Sequence, residues 1–190
     1  VLDYDPFHNL RSIGINGKAE KLVAYTYKNS NGKLKEITYA NGDYMKAVYN
    51  GMGQMVAEKW YDKDDTLTAH YKYAYDQDGN IIQSVDILAQ KAYTYIYRDD
   101  KLLLTKEFTV TIGENDMLRS RTLVATVAYT YNADGEVTEK RVTPVSGAEA
   151  VYTYTQPAEG ESGEPRVSCK VNGKTVTSFS KSDSFGRKEF

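Results

Sequence analysis

The sequence has few of the residues on which cross-links and most catalytic sites depend. Among its 190 residues there is one cysteine, Cys169, and there are two histidines, His8 and His70. A single cysteine excludes an internal disulfide and a multi-cysteine metal site, so we interpret Cys169 as a small buried hydrophobic residue. No apolar run approaches the ~18 residues that a membrane helix requires, and we expect no membrane insertion.

The chain also lacks an excess of either charge. It carries 24 basic and 26 acidic residues, for a net charge of −2, and lysine and arginine are spread along its length. Nucleic acids and anionic membranes are recognised by clustered positive charge, which this sequence does not have. We therefore expect no nucleic-acid partner.

Catalytic signatures are equally scarce. A hydrolase triad requires a serine or cysteine activated by a histidine, and there is no Gly-x-Ser-x-Gly motif. His8 falls in a turn-like stretch and His70 interrupts a tyrosine-rich strand, so we interpret both as structural or solvent-exposed. No glycine-rich phosphate loop is present. We expect a non-enzymatic protein without a cofactor, and an enzyme of unrecognised type is the least favoured alternative.

Two acidic clusters have a spacing that resembles calcium-binding loops. They consist of Asp62, Asp64 and Asp65, and of Asp76 and Asp78. An EF-hand loop needs a bidentate glutamate at its twelfth position, and neither cluster has one. We interpret these carboxylates as solvated turn residues and predict no metal site, with a weakly held cation in the turn as the alternative.

Tyrosine is what the sequence has in abundance, with 17 residues against 5 phenylalanines and 1 tryptophan. Tyrosine favours β-strands, and residues two apart in a strand lie on the same face. Tyrosines alternate in this way at positions 25 and 27, at 71, 73 and 75, at 93, 95 and 97, at 129 and 131, and at 152 and 154. Each group therefore predicts a strand with its rings on one face.

Turn signals follow these strands at a fixed distance. Tyr75 is followed by Asp76 and, three residues later, by Gly79; Tyr131 is followed by Asn132 and Gly135 in the same way. An aspartate or asparagine side chain accepts hydrogen bonds from the turn backbone, and glycine adopts the positive φ that a tight hairpin requires. Looser copies begin at positions 4, 27, 49, 97 and 182.

The predicted fold is all-β: a long, twisted and curved antiparallel meander of about a dozen strands, open or partially closed into a barrel or shell. We predict one domain over 1–190, with a loop insertion at 155–166, and we expect it to be a piece of a larger protein. The predicted strands are 21–28, 33–39, 44–49, 54–61, 67–75, 81–87, 92–97, 102–111, 119–131, 136–143, 149–155, 166–171 and 174–180.

The unit Tyr-x-Tyr-Asp-x-x-Gly-x-Ile/Val resembles the YD repeat of the RHS family. Tyr73, Tyr75, Asp76 and Gly79 carry it in one copy. In the second copy it is carried by Tyr129, Tyr131, Asn132 and Gly135. Asp183, Gly186 and Arg187 also look like an RHS-type Asp-x-Phe/Leu-Gly-Arg element.

Members of the RHS family include bacterial wall-associated proteins and polymorphic toxins, whose repeats form a hollow shell around a toxic C-terminal domain. The resemblance implies an extracellular or cell-surface scaffold that encloses or presents another domain. Its implied partners are flanking repeats or an enclosed domain of the same polypeptide. The sequence is too short for a complete shell and has no autoproteolysis segment or toxin domain.

The tyrosine rows themselves admit two interpretations. In the first, they form cross-strand ladders that hold the sheet together, each pair contributing about 0.2–1 kcal/mol. In the second, some rings are exposed and stack against sugars, which would make the chain a carbohydrate- or cell-wall-binding module. Trp60, Tyr61, Tyr71 and Tyr73 are the candidate glycan-binding residues.

Overall fold

The computed structural model describes residues 1–28, 32–155 and 166–179 and contains fifteen β-strands. A single 3-10 turn (Glu114–Asp116) joins the tenth and eleventh strands. The strands are β1 (Leu2–Tyr4), β2 (Leu10–Gly14), β3 (Lys21–Tyr27), β4 (Leu34–Tyr39), β5 (Tyr44–Tyr49), β6 (Met55–Tyr61), β7 (Leu67–Tyr75), β8 (Ile81–Asp86), β9 (Lys91–Arg98), β10 (Lys101–Ile112), β11 (Leu118–Tyr131), β12 (Val137–Pro144), β13 (Ala150–Thr155), β14 (Arg166–Val171) and β15 (Lys174–Phe179).

The strands form one antiparallel sheet in which each strand lies beside its neighbours in sequence, from β1 to β15. In the described part of the chain β1 and β15 are the two edges, so the sheet does not close on itself. The predicted all-β meander is confirmed, and every predicted strand is present to within one residue at each end. β1 and β2, which were not predicted, account for the larger number of strands.

Two compact units can be described separately. Unit 1 comprises Val1–Ala92 and Thr111–Arg119, and unit 2 comprises Tyr93–Val110 and Ser120–Phe190. The predicted loop insertion lies almost wholly outside the described residues, as do Asp183, Gly186 and Arg187.

One hairpin turn recurs along the chain, and Asp76 illustrates it. The Asp76 carboxylate oxygen Oδ1 accepts the backbone N–H groups of Asp78 (3.0 Å) and Asn80 (2.8 Å). The backbone of Asp76 also bonds at both ends of the turn, to the N–H of Gly79 and to the carbonyl of Asn80. A single side chain thus satisfies backbone donors that the short turn leaves without partners.

The same backbone and side-chain bonds form at Asp5, Asn50 and Asp62. Asn132 has the same backbone bonds and accepts the N–H of Glu136. Aspartate and asparagine are interchangeable there because only a side-chain oxygen is required. Within unit 1, the Asp62 turn joins β6 to β7 and therefore lies at the other end of these strands from the Asn50 and Asp76 turns.

The fourth residue of each such turn has a positive φ. Glycine occupies this position in three turns, for example Gly79 at +91° and Gly135 at +84°, whereas His8 and Asp65 occupy it in the other two. The turn after β9 has no glycine, and Asp99 and Asp100 both adopt positive φ instead. Aspartate tolerates this region better than most residues, which explains how that hairpin closes without glycine.

A β-bulge accompanies these hairpins. Tyr75 pairs with Ile81, while the preceding residue Ala74 pairs with Gln83, so Ile82 is an extra residue in the returning strand. The register shifts in the same way at Tyr4, Tyr27, Tyr49 and Tyr131. The bulge restores the tyrosine and the first aliphatic residue of the returning strand to one face of the sheet.

Candidate functional site

The strand register divides the aromatic residues of unit 1 between two faces. Cross-strand partners share a face, and Tyr25, Ile37, Met45, Trp60 and Ala69 form one continuous row from β3 to β7. We call this side the aromatic face. In unit 1 its rings are Tyr25, Tyr27, Tyr39, Tyr49, Trp60, Tyr71, Tyr73 and Tyr75.

The opposite side, which we call the polar face, has a different composition. Glu36, Lys46, Lys59 and His70 form a row of cross-strand partners there, and Lys72 lies on the same face. Lys46 is exposed there, whereas Ala57, His70 and Val85 are buried on the same face, so the polar face is only partly solvated.

Unit 2 repeats this division. Tyr129, Tyr131, Tyr152 and Tyr154 share one face. The other face carries Thr126, Thr130, Glu139, Arg141, Thr143, Thr153, Ser168 and Lys170. Arg141 forms ion pairs of 3.0 Å with Glu139 and 2.6 Å with Glu149. Both units therefore combine an aromatic face with a polar one.

Rings on the aromatic face are half-buried. The Tyr73 hydroxyl donates a 2.7 Å hydrogen bond to Glu58, the carboxylate on this face next to Tyr71. Burial first, and then this bond, raise the pKa of Tyr73 above its ordinary range. The tyrosines thus pack through their rings and use their hydroxyls as specific donors.

Three of the tyrosines that precede a turn link their hairpin to the previous one. The hydroxyls of Tyr27, Tyr75 and Tyr131 donate to the backbone carbonyls of Leu10 (2.8 Å), Met55 (2.7 Å) and Leu102 (2.7 Å). Each acceptor is the first or second residue of the preceding returning strand. Tyr49 makes a different contact: the Lys28 ammonium lies 5.0 Å from its ring centroid.

The predicted glycan-binding residues do not all lie on one surface. Trp60, Tyr71 and Tyr73 are on the aromatic face, and the Trp60 ring stacks on Tyr39 at 6.1 Å. Tyr61 lies on the polar face, where it stacks on Tyr44 at 4.9 Å.

The Tyr61–Tyr44 pair forms a separate polar-face cluster. The Lys46 ammonium lies within 5.6 Å of both ring centroids, and the Tyr44 hydroxyl donates to Asp65 at 2.6 Å. The bond to Asp65 raises the pKa of Tyr44 to about 12.

The acidic clusters serve the turns. Asp62 Oδ1 accepts the N–H groups of Asp64 and Thr66, and the bond from Thr66 is the largest cause that lowers the pKa of Asp62. Asp76 makes the equivalent bonds, which lower its pKa despite partial desolvation. Residues 1–28, 32–155 and 166–179 contain no group of three or more metal-ligating side chains positioned to hold an ion.

His70 has a buried contact that sequence reasoning missed. Its side chain is almost inaccessible, and Nδ1 lies 3.7 Å from the carboxylate of Asp116 in the turn between β10 and β11. The Lys72 ammonium donates to the Asp116 carbonyl at 3.4 Å. Burial lowers the pKa of His70, while Asp116 acts in the opposite sense. No sequence motif marks this pair, because its members are far apart in the chain.

Cys169 is half-buried rather than buried as expected. It lies on β14, where it pairs with Tyr152 of β13, one strand from the end of the described sheet. Among the described helical residues, no segment has the length and apolar character needed to cross a bilayer.

The fold is similar to parts of two much longer solved structures. TcdB2-TccC3-TEV superposes on 81% of this chain with a TM-score of 0.56 and 18% identity. TcdB2-TccC3 without its hypervariable C-terminal region superposes on 83% with a TM-score of 0.56 and 19% identity. The match covers only 8% and 9% of those chains. No protein-family model and no curated protein matches the chain. At this identity the similarity is one of fold.

Proposed function

We propose that this chain is a non-enzymatic structural scaffold, a segment of an RHS-like secreted or cell-surface bacterial protein whose repeats enclose or present another domain. The observation that carries this proposal is the two-faced sheet. Its aromatic face carries half-buried rings and suits cover by other parts of a protein. Its polar face carries charged side chains, of which Lys46 is exposed, and the β10–β11 turn covers it at His70.

Two further observations support the proposal. The Tyr-Asp/Asn turn motif that resembles the YD repeat recurs with the same hydrogen bonds in both units. The solved structures with a similar fold include a chain described as lacking a hypervariable C-terminal region. A repeat scaffold followed by a variable C-terminal part is the arrangement that the RHS resemblance implies.

A carbohydrate- or cell-wall-binding module is the second candidate. Trp60, Tyr71, Tyr73 and the Glu58 carboxylate share one face, and aromatic platforms with a carboxylate suit sugar hydroxyls and ring faces. Titration of Trp60 fluorescence with peptidoglycan fragments tests this function. Quenching that saturates, and that disappears in Tyr71→Ala, would favour it over the scaffold.

The scaffold is tested by hydroxyl-radical footprinting of this chain alone and within its full-length parent protein. We expect oxidation of Tyr71 and Tyr73 to slow several-fold in the parent, because their face is covered there. Tyr44 on the polar face is the internal control and should be oxidised equally in both proteins.

Equal oxidation of both faces in the two proteins would overturn the scaffold proposal. A parent gene that ends at Phe190 and encodes no further domain would also contradict it.

A further inference from the structure

The β1 edge of unit 1 exposes apolar side chains in a row. Leu2 is 55% exposed, Tyr4 51% and Phe7, in the adjoining turn, 83%. β1 pairs only with β2 in the described part of the chain. An edge strand with exposed apolar residues is a site for pairing with another strand.

The backbone of β1 has hydrogen-bonding groups aimed at this open edge. Val1 bonds Gly14 of β2 through its backbone, and the Asp5 N–H donates to the carbonyl of Asn9, the residue before β2. Because alternate residues of an antiparallel strand point to opposite sides, the N–H and carbonyl groups of Leu2 and Tyr4 face away from β2. These four groups can pair with one further antiparallel strand.

The position of Tyr4 indicates which kind of strand would pair with the open edge of β1. Tyr4 precedes a capped turn and has the same bulge as Tyr27 and Tyr75. Those two tyrosines donate to a carbonyl at the start of the preceding hairpin's returning strand. The Tyr4 hydroxyl makes no hydrogen bond to any described residue, and its ring is half exposed.

We propose that the β1 edge docks the returning strand of another Tyr-Asp/Asn hairpin of the same polypeptide, with the Tyr4 hydroxyl donating to the carbonyl of that strand's first aliphatic residue. This inference rests on the proposed scaffold and specifies its partner at this edge. The acceptors in the internal hairpins are Leu10, Met55 and Leu102, so we expect a leucine or methionine at the contact.

The internal turns also specify the residue that precedes the aliphatic residue of the docked hairpin. At Gly53 and Gly135, an added Cβ would lie 3.3–3.4 Å from the side chain of Lys33 or Lys101, the residue at the end of the preceding turn. The equivalent residue of the first turn is His8, which has a side chain. The incoming hairpin is therefore expected to have a short residue directly before its aliphatic one.

The test compares the 190-residue chain with the same chain extended upstream by its native sequence. Tyr4→Phe and Tyr75→Phe are introduced into both for thermal melts, and hydroxyl-radical oxidation of Tyr4 is compared between the two unsubstituted proteins. Tyr75→Phe should lower the Tm of both proteins by about 2–4 °C. Tyr4→Phe should lower the Tm by that amount only in the extended protein. In the unsubstituted proteins, oxidation of Tyr4 should be several-fold slower in the extended one.

Unchanged oxidation of Tyr4 in the extended protein, or no effect of Tyr4→Phe there, would overturn the proposal. A 190-residue chain that dimerises with Tyr4 protected would also overturn it, by showing that a second copy occupies the edge. Light scattering distinguishes that case. Tyr71 and Tyr73 report separately on the enclosing function, so failure at this edge is distinguishable from failure of the scaffold.

Discussion

At the scale of single residues, tyrosine combines two roles in this fold. Its ring covers half-buried sheet surface, and its hydroxyl joins one hairpin to the next through a backbone carbonyl. Phenylalanine could fulfil only the first role, which gives a physical reason for the excess of tyrosine over phenylalanine.

Removal of one hydroxyl should therefore weaken the link between two hairpins. Tyr75→Phe loses the bond to the Met55 carbonyl, and we expect a loss of about 1 kcal/mol in the free energy of unfolding. Tyr71→Phe is the matched control. Tyr71 lies on the same strand and face, but its hydroxyl makes no hydrogen bond to a described residue. Urea titrations measure both variants, and equal losses would contradict the linking role.

Gly79 provides a test of backbone conformation alone. Its φ is +91°, and an added Cβ would meet nothing closer than 4.0 Å, so Gly79→Ala introduces strain without a steric clash. We expect a loss of about 1–2 kcal/mol in unfolding free energy. Gly51→Ala is the control, since Gly51 lacks a positive φ and has open space around it. A stable Gly79→Ala variant would refute this account of the turn.

The capping aspartates predict a loss of stability in acid. Hydrogen bonds lower the pKa of Asp5, Asp62 and Asp76 in the folded state. A lowered folded-state pKa means that the carboxylate contributes stability above its ordinary pKa of 3.8, and that this stability disappears as the pH falls through the folded-state value.

Replacing all three with asparagine should flatten this pH dependence. Asn50 already makes both bonds through an uncharged amide, and Asn132 makes one of them, so the turns should persist. Between about pH 6 and pH 3, we expect the Tm of the wild-type chain to fall more steeply than that of the triple variant. Parallel curves in scanning fluorimetry would show that the caps do not determine the acid response.

At the scale of elements, the β10–β11 turn packs on β7 through His70. Burial lowers the pKa of His70, so its neutral form is favoured, and the stability that this contributes is lost as the pH falls below the ordinary value of 6.5. Lys59 and Lys72 also lower this pKa, whereas Asp116 and Asp86 raise it.

Asp116→Asn should therefore lower the pKa of His70 further. An NMR titration in a His8→Gln background isolates the His70 imidazole signal, since the chain has only two histidines. Asp78→Asn, in an exposed turn, is the charge-matched control and should leave the midpoint unchanged. A midpoint that Asp116→Asn raises, or leaves unaltered, would contradict the contact.

The hairpins were predictable from the sequence because each is specified locally. Asp76 and Gly79 mark a turn, and the alternating tyrosines before it mark a strand. β1 and β2 escaped prediction because Leu2–Tyr4 is very short and Leu10–Gly14 has no aromatic alternation.

Which side chains share a face of the sheet was less predictable from the sequence. Adjacent residues such as Trp60 and Tyr61 must lie on opposite faces, but which of them joins Tyr71 depends on the register. That register depends on the bulge at Tyr61. The His70–Asp116 contact is more remote still, since it joins residues 46 positions apart whose proximity only the folded chain establishes.

At the scale of the whole molecule, strand order follows sequence order throughout the described sheet. Each strand pairs only with its predecessor and successor, as neighbouring units do in repeat proteins. Stability should then vary along the chain, with less protection at the edges than in the middle of a unit.

Hydrogen exchange can measure this gradient within unit 1. We expect amides of β1, which is three residues long and exposed, to exchange fastest, and those of β6 and β7 to exchange slowest. Ala57 and His70 are buried on these two central strands. Uniform protection from β1 to β7 would indicate that the unit unfolds in one step.

The bulge beside each Tyr-Asp/Asn turn separates the length of a hairpin from the orientation of its side chains. However long the preceding strand, the extra residue brings the tyrosine and its aliphatic partner back to one face, as at β7 with nine residues and at β11 with fourteen. Insertions at the far ends of the strands therefore need not change the face on which the tyrosine before the turn lies. Strand length can thus differ from one hairpin to the next without changing the face that the tyrosine occupies.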